Sequence, residues 1–460
     1  MTELVIVSAA DDRALVSELN RIIGYVDRVP DAALVDIAYT CSLTHGESVI
    51  AIIADSTEAL RARLVSARNR LEPGTAKRLR DKSGTYYFRD HLLGTDKGKL
   101  AFVYPGVMSF YPDMMRDLAV ESHACRNAFD ELEEAMAGNA EFTPSSFIFP
   151  PADYYRHDAD IFSSGAYAEA LVATYGACVA YTRLLQGYGL GPDGVVGFAG
   201  GDLAAMMRSG AAGSEPSRPD RVRIIREIYQ IIKKAVDHAG LPEVAMVTLL
   251  LRHAGEIDEL VRAFPPDKFM LAVDFSPRQK TYAVTKDFEA EALAAFAAAG
   301  IRAVKLALNR PFNTKLCEDF VPYVKKFVSG WMNEEPDRDI YSCATAEPLP
   351  RRVRKARSDT AERWAKPVRF EETVRRMYDD GYRVFLEVGP RGLMTSAVAD
   401  TLRGVEHAAI AVNSIHRSGL LQLQHAVAQL VALGAKMDVS SAYARRKPRR
   451  LDFDSSLAPA

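Results

Sequence analysis

Short apolar runs alternate with amphipathic stretches through the first hundred residues. Residues 83–99 are polar and contain glycine, so they are predicted to be a connector. The spacing of apolar positions before this connector predicts strand, helix, helix, strand and helix, in that order. These elements are Leu4–Ser8, Asp12–Val26, Ala32–Cys41, Ser48–Ala54 and Ser56–Leu71. Residues 1–99 are therefore expected to form a small α/β domain.

A stronger pattern begins at Lys99. The run KLAFVYPG predicts a buried strand that ends in a Pro-Gly turn. Helices are predicted around Met114–Ala137 and Ala166–Gly187, and GVVGFAGGDLAAMMRSG then predicts a strand, a tight glycine-rich turn and a helix. This order is typical of an α/β core.

The region from Pro242 to Leu308 has a different pattern. Its elements follow the order strand, helix, strand, strand, helix, strand, which suits a small ferredoxin-like insert. They are Ala245–Leu250, Ile257–Ala263, Phe269–Asp274, Thr281–Thr285, Phe288–Ala299 and Ala303–Leu308. A helix near Val321–Met332, a basic loop and the strand VFLEVGP are predicted to follow. The last segment, RRKPRRLDFDSSLAPA, has no period that could form a core and is expected to be a linker.

Composition narrows the class of protein. With 460 residues, 48% hydrophobic composition and a net charge of -2, the chain can bury a sizeable core and carries no overall field suited to nucleic acid or membrane. No apolar stretch reaches the roughly 18 residues of a membrane span, and the N-terminus lacks the features of a signal peptide, so a cytoplasmic location is expected. The five cysteines are scattered without a C-x-x-C pair and the nine histidines are dispersed, so neither a metal site nor a cofactor is expected.

Several segments resemble, in order and spacing, the acyltransferase domains of polyketide and fatty-acid synthases. KLAFVYPGVMSFYPDMMRDL is similar to the opening FPGQGSQ strand and loop, GVVGFAGGDLAAM to GHSxGE, and LALNRPFNT to the AFHS segment; IYSCATAEPLP, KPVRFEETV and VFLEVGP match later stretches. The resemblance implies an α/β-hydrolase-like large subdomain at 100–237 and 309–440, with a ferredoxin-like small subdomain inserted at 238–308. Residues 1–99 resemble the linker domain that precedes the acyltransferase, and 441–460 would be a C-terminal linker.

The same resemblance implies that the catalytic groups are missing. Family members transfer an acyl group through a serine ester, with a histidine as base and backbone amides holding the oxyanion. Here Phe198 and Ala199 stand at the His and Ser of the nucleophile turn, and Asn313 stands at the base. A methyl group cannot attack a thioester, and an amide is not a base near neutral pH.

The remaining site positions follow from the resemblance too. Val107 replaces the glutamine of the opening loop; with Gly106, Ser109 and Gly200 it is expected to line the cleft, and its backbone amide could still serve the oxyanion. Ile228 stands where active members carry the arginine that pairs with the malonyl carboxylate, and Arg226 or Arg223 could substitute for it. Asp202 stands at the family's glutamate, where an acid suits a helix N-terminus whether or not catalysis occurs.

Four residues are candidates to replace the missing nucleophile or base, but an ordinary role is expected for each. Ser109 is expected to be a turn hydroxyl that bonds its own backbone rather than a nucleophile. Cys317 is expected to be a small buried apolar group, and His123 and His253 to have surface or packing roles.

A basic run after the small subdomain is a candidate docking surface for an acidic carrier protein, although most charge runs are solvated faces. It comprises Arg351, Arg352, Arg354 and Lys355. The sequence therefore predicts a catalytically inactive acyltransferase-like domain with a structural or docking role, with a neighbouring ketosynthase and an acyl carrier protein as partners. The alternatives are an acyltransferase of altered chemistry and a module that binds acyl groups, CoA or a carrier without covalent attachment.

Overall fold

The computed structural model describes residues 2–151, 165–213, 216–237 and 241–455. These residues form two compact units. The first contains residues 1–99, 183–191 and 416–460, and the second contains 100–182 and 192–415.

The strands are β1 Glu3–Ala9, β2 Ser48–Ala54, β3 Arg78–Arg80, β4 Thr85–Phe88, β5 Lys99–Tyr104, β6 Gly194–Gly197, β7 Val244–Leu250, β8 Phe269–Ser276, β9 Gln279–Thr285, β10 Arg302–Lys305, β11 Asp339–Ser342, β12 Glu347–Pro348, β13 Val368–Arg369, β14 Tyr382–Glu387 and β15 Ala408–Ala411. The helices, numbered over the described residues, are α1 Asp12–Arg28, α2 Leu34–Ser42, α3 Thr57–Leu71, α4 Arg116–Glu121, α5 His123–Met136, α6 Pro144–Ile148, α7 Tyr167–Gly187, α8 Asp202–Arg208, α9 Arg218–Asp237, α10 Asp258–Arg262, α11 Glu289–Ala298, α12 Val321–Ser329, α13 Val353–Glu362, α14 Phe370–Asp379, α15 Leu393–Thr401 and α16 Gly419–Ala432.

The first unit is built on an antiparallel sheet in the order β1-β2-β4-β3. Side-chain caps begin two of its helices: Asp11 accepts a hydrogen bond from the N–H of Ala14 before α1, and Ser56 accepts one from Ala59 before α3. The apolar faces of α1 and α3 pack with the sheet into one core.

Three predictions about this unit differ from the structure. The connector predicted at 83–99 contains β4, because Tyr86 and Tyr87 are buried and pair with β2 and β3. The C-terminal segment contributes to a core, since Leu451 and Phe453 are buried in the apolar cluster of this unit. The predicted boundary at residue 440 also differs, because α16 packs on β2 and β4 and residues 416–440 group with the first unit.

The large part of the second unit is a six-stranded sheet in the order β12-β11-β6-β5-β14-β15. The pairs β11–β6, β6–β5 and β14–β15 are parallel, β5 lies beside β14, and β12 is antiparallel to β11 at one edge. β5, β6 and β14 are nearly fully buried. Because β5 and β6 are parallel neighbours, their carboxyl ends and the loops that follow lie at the same edge of the sheet. The basic loop predicted after α12 is wrong, because residues 353–362 form α13.

The small part of the second unit is a sheet in the order β10-β7-β9-β8, antiparallel throughout, with β13 added in parallel beside β8. Two helices, α10 and α11, complete the ferredoxin-like order, so this prediction is confirmed. Within the described ranges, no helix is long and apolar enough to cross a membrane.

Candidate functional site

The turn after β6 has the geometry of a nucleophile elbow. The backbone passes from β6 through Phe198 into a short 3-10 turn, Ala199–Gly201, and then directly into α8. Ala199 has φ 47°, a left-handed backbone conformation that is energetically unfavourable for any residue with a Cβ atom. A Cβ at Gly201 would lie 2.2 Å from the carbonyl oxygen of Tyr104, so only glycine fits there. The tight glycine-bearing turn predicted from sequence is present, and it carries a methyl group where the elbow presents its nucleophile.

The loop after β5 lies against this turn. A Cβ on Gly106 would be 2.8 Å from the carbonyl oxygen of Phe198, so the two backbones approach closely. Val107 is buried in the short 3-10 turn that follows. The expectation for Ser109 was wrong: its Oγ is buried and makes no hydrogen bond to the described residues, while its N–H donates to the carbonyl of Gly106 at 3.0 Å.

Asn313 is held by main-chain contacts. It has φ 65°, its N–H donates to the carbonyl of Trp364 at 3.0 Å, and its Nδ2 donates to the carbonyl of Arg363 at 3.3 Å. The amide is therefore oriented by the turn at Arg363 and Trp364.

Ala199 and Asn313 line one cavity, although they are 114 positions apart in the chain. Its volume is about 20 Å³, which is room for about one water molecule. No histidine is among the described residues that line it: Tyr167, Ala199, Gly200, Asp202, Asn313, Cys343, Ala344, Arg363, Trp364, Lys366, Pro367 and Val368.

An ion pair lies in the wall of this cavity. The Arg363 guanidinium contacts the Asp202 carboxylate directly, and the two side chains are 14% and 7% exposed. Desolvation by burial lowers the pKa of Arg363 to about 9, a value that is still above neutral pH. The neighbouring Asp202 carboxylate favours the cationic form of Arg363. The Arg363 guanidinium is therefore charged at pH 7.

Comparison with known proteins places this geometry in a family. Residues 101–436 match the family model for the acyl transferase domain. The chain belongs to the acyl transferase domain family. It is 24% identical over 456 residues to the spectinabilin polyketide synthase system protein NorA of Streptomyces orinoci, covering 96% of this chain and 22% of that protein. It is 25% identical over 322 residues to the malonyl CoA-acyl carrier protein transacylase of Bacillus subtilis, covering 68% of this chain and 93% of that one.

Solved structures share the fold of this acyl transferase domain. The acyl transferase domain of ZmaA superposes with a TM-score of 0.75 at 16% identity, covering 98% of both chains. The acyltransferase domain from module 8 of the salinomycin polyketide synthase gives a TM-score of 0.74 at 19% identity, covering 95% of this chain and 97% of that one. The predicted α/β fold is thereby confirmed. The chain spans about a fifth of NorA and 13% of erythronolide synthase EryA3.

The arginines proposed as substitutes for a carboxylate-binding group lie elsewhere in this acyl transferase domain. Ile228 is buried on α9 and is not in the cavity wall. Arg226 donates to the carbonyls of Ala135 and Glu134, and Arg223 pairs with Glu227 at 3.2 Å. The cation that does line the cavity is Arg363, which the sequence reasoning missed. Arg363 stands three residues before KPVRF, a segment that resembles the family. A charged residue beside that motif was the signal in the sequence that could have pointed to Arg363.

Phe198 packs into an aromatic cluster between the two parts of the second unit. Its ring meets Phe275 of β8 edge-on at 5.2 Å and Phe370 of α14 at 5.4 Å. The aromatic side chain therefore joins the nucleophile turn to the small subdomain.

The remaining candidates for a displaced nucleophile or base are unreactive or exposed. Cys317 is fully buried, its Sγ contacts the carbonyl of Pro311 at 3.2 Å, and burial raises its pKa to about 12. His123 and His253 are both exposed and neither lines the cavity. Cys343, which the sequence reasoning did not single out, does line the cavity. Its thiol donates to the carbonyl of Gly197 at 3.3 Å, and burial raises its pKa to about 12.

The basic run begins just before α13 and continues onto its first turn. Arg351 pairs with Asp339 at 3.1 Å and also donates to the carbonyl of Pro336. Arg352, Arg354 and Lys355 are exposed, and no ion pair joins them to another described residue. Three of the four predicted docking cations are therefore available at the surface.

Proposed function

We propose that this chain is a catalytically inactive acyl transferase domain with a structural or docking role in a polyketide or fatty-acid synthase. The observation that carries the proposal is the pairing of Ala199 with Asn313 across one small cavity. The first position has no nucleophilic atom and the second has no basic one. Loss of nucleophile and base together removes on the order of a million-fold in turnover.

The backbone conformation of the turn at Ala199 supports the same conclusion. Ala199 keeps a left-handed φ, and Gly201 keeps its close approach to β5, although nothing at this bend can attack a thioester. The backbone shape is thus retained without the groups that need it for chemistry. A retained fold without catalytic groups is expected of a domain that serves through its surfaces and not through catalysis.

Altered chemistry at Cys343 is the alternative that a specific observation favours, because this thiol lines the cavity. A thiolate is the reactive form of cysteine, and a pKa of about 12 leaves almost none of it at neutral pH. None of the described residues in the cavity wall is a histidine that could take the proton. The inactive domain is therefore the better supported function.

The partners follow from the position of such domains within longer proteins. We propose that the first unit is the linker domain between a ketosynthase and the acyl transferase, and that the exposed cations of α13 meet an acidic acyl carrier protein. The chain's match to only a fifth of NorA is consistent with a domain of a multidomain synthase. A cytoplasmic synthase is the expected setting.

Intact mass spectrometry tests the proposal directly. The purified chain is incubated with malonyl-CoA or acetyl-CoA, alone and with a holo carrier protein. An active malonyl transacylase run in parallel is the positive control. We expect neither an acyl adduct on this chain nor a loaded carrier above the uncatalysed background. Robust loading of the carrier would disprove the inactive assignment, and an adduct on Cys343 would establish the alternative.

A further inference from the structure

We infer that Asp202 and Arg363 form an ionic closure of the former acyl cavity that admits water but no acyl group, so that this site is obstructed by side chains of the chain itself. The inference rests on the proposed function, because it concerns the same site. It adds a separate claim: although Ala199 is partly exposed to solvent, the approach of an acyl group to it is blocked independently of the missing nucleophile and base. A ligand could reach the cavity only after the pair has opened.

The two partners belong to the two segments that face each other across the cavity. Asp202 is the first residue of α8 and follows the turn at Ala199 directly. Arg363 begins the 3-10 turn Arg363–Ala365, whose carbonyls at Arg363 and Trp364 hold Asn313. The ion pair therefore ties the former nucleophile turn to the segment that positions the former base.

The cavity is open to solvent but has too little room for an organic ligand. About 20 Å³ holds one water molecule, whereas pockets for small organic ligands have a volume of roughly 300 Å³ or more. Trp364 and Tyr167, both nearly fully buried, form the rest of the wall beside the pair. The charged side chains are the only ionic link between described residues across this space, since the other lining cation, Lys366, pairs with Glu362 at 2.9 Å.

The charges of Asp202 and Arg363 also disfavour the binding of a carboxylate in the cavity. An acyl group with a carboxylate would have to displace Asp202 from Arg363, and a neutral acyl group would have to leave one of the two charges unpaired in a largely buried space. Both routes are unfavourable. Restoring a serine at 199 and a histidine at 313 is therefore not expected to be sufficient for acylation while the pair remains.

Alkylation of an introduced thiol measures access without requiring any catalysis. The probe variant is Ala199→Cys in a Cys343→Ala background, treated with iodoacetamide. The native cysteines are buried throughout the described residues, so their background reaction is low. The opened variant adds Asp202→Asn and Arg363→Ala, which removes the pair without leaving a buried charge unpaired. We expect its alkylation to be at least about ten-fold faster.

The two charge changes in the opened variant have opposite effects on the introduced thiol. Loss of the Arg363 cation raises the pKa of a nearby thiol, whereas loss of the Asp202 anion lowers it, so the two effects on the thiolate fraction offset each other. A faster reaction therefore reports better access. The matched control adds Arg351→Ala and Asp339→Asn instead, which removes an exposed ion pair of the same unit. This control is expected to react at the rate of the closed probe variant.

Two outcomes would overturn the inference: equal rates for the closed and opened variants, or equal acceleration by the control. If the opened variant does not fold, Asp202→Asn with Arg363→Gln keeps most of the side-chain volume and removes the ionic link. For it we expect about a three-fold acceleration or more, and no change would count against the closure. The acyl-loading assay on the unmodified chain is separate. Carrier loading there would disprove inactivity, whereas alkylation rates alone decide whether the pair closes the site.

Discussion

The Asp202 carboxylate contacts the Arg363 guanidinium directly, and both side chains are largely buried. Removing one partner of such a pair leaves an uncompensated charge, whereas removing both leaves none. We therefore expect Arg363→Met to lower the free energy of unfolding by about 3 to 5 kcal/mol, and Asp202→Asn with Arg363→Met to recover most of that loss. Urea unfolding of the two variants and the unmodified chain measures both values.

An exposed pair provides the control for this comparison. Arg351 and Asp339 are 61% and 42% exposed, so Arg351→Met is expected to cost less than about 1 kcal/mol. If the change at Arg363 costs no more than the change at Arg351, the buried pair does not stabilise the site.

The strain at the nucleophile turn predicts a second effect. Because Ala199 has φ 47°, replacing it with glycine relieves a conformation that alanine adopts at a cost of about 1 to 2 kcal/mol, and the extra backbone freedom of glycine offsets part of this gain. Ala199→Gly is therefore expected to leave stability unchanged or raise it by up to about 1 kcal/mol. Thermal and urea unfolding provide the measurement.

Ala204 is the matched control, since it is buried in the helix that follows this turn. Ala204→Gly is expected to lower stability by about 1 kcal/mol, because glycine is unfavourable in a helix interior. Similar losses for both variants would show that the turn at Ala199 is not strained.

The sequence predicts most of the fold because local patterns and tertiary packing agree. β2 and the order of elements in the small subdomain follow from apolar spacing alone. The pairing of Ala199 with Asn313 could be expected only through the resemblance, since sequence separation says nothing about contact. β4 was missed because Thr85–Phe88 is only four residues long and follows a polar segment. Its burial depends on its pairing with β2.

Arg363 was missed because its role depends on packing, which its position beside the motif does not reveal. In the sequence it is one of several arginines near the KPVRF motif, and most arginines are exposed. Its proximity to Asp202 arises from the fold of segments about 160 residues apart. The inward-facing Cys343 was missed for the same reason.

The exposed cations of α13 predict salt-sensitive carrier binding. Changing Arg352, Arg354 and Lys355 to glutamate reverses three charges at once and is expected to weaken binding of an acidic holo carrier protein by at least about ten-fold at low ionic strength. The difference should shrink as salt is added, because these side chains are exposed. Calorimetry or a fluorescence titration with labelled carrier gives the affinities.

Arg78 and Arg80 of β3 are exposed on the first unit and serve as the control. Their change to glutamate is expected to leave carrier binding within about two-fold of the unmodified chain at moderate ionic strength. An equal effect of both sets would indicate that net charge, and not α13, determines binding.

Glu387 makes the stability of the second unit depend on pH. It is 1% exposed at the end of β14; one oxygen accepts hydrogen bonds from the N–H and Oγ1 of Thr395, while the other has no partner among the described residues. Burial outweighs these hydrogen bonds and raises the pKa of Glu387 to about 7. Because the folded-state pKa lies above the unfolded value of 4.5, its contribution to stability is complete below pH 4.5 and is lost as the pH rises through 7.

Glu387→Gln removes this titration and keeps an oxygen that can accept from Thr395. Relative to the unmodified chain, the variant should gain on the order of 3 kcal/mol of stability between pH 4.5 and pH 8. Glu141, which is 74% exposed, is the control, and Glu141→Gln should follow the pH profile of the unmodified chain. Unfolding curves at half-unit steps of pH decide the matter. Parallel profiles for the Glu387 variant and the unmodified chain would mean that this carboxyl group titrates near its ordinary value in the fold.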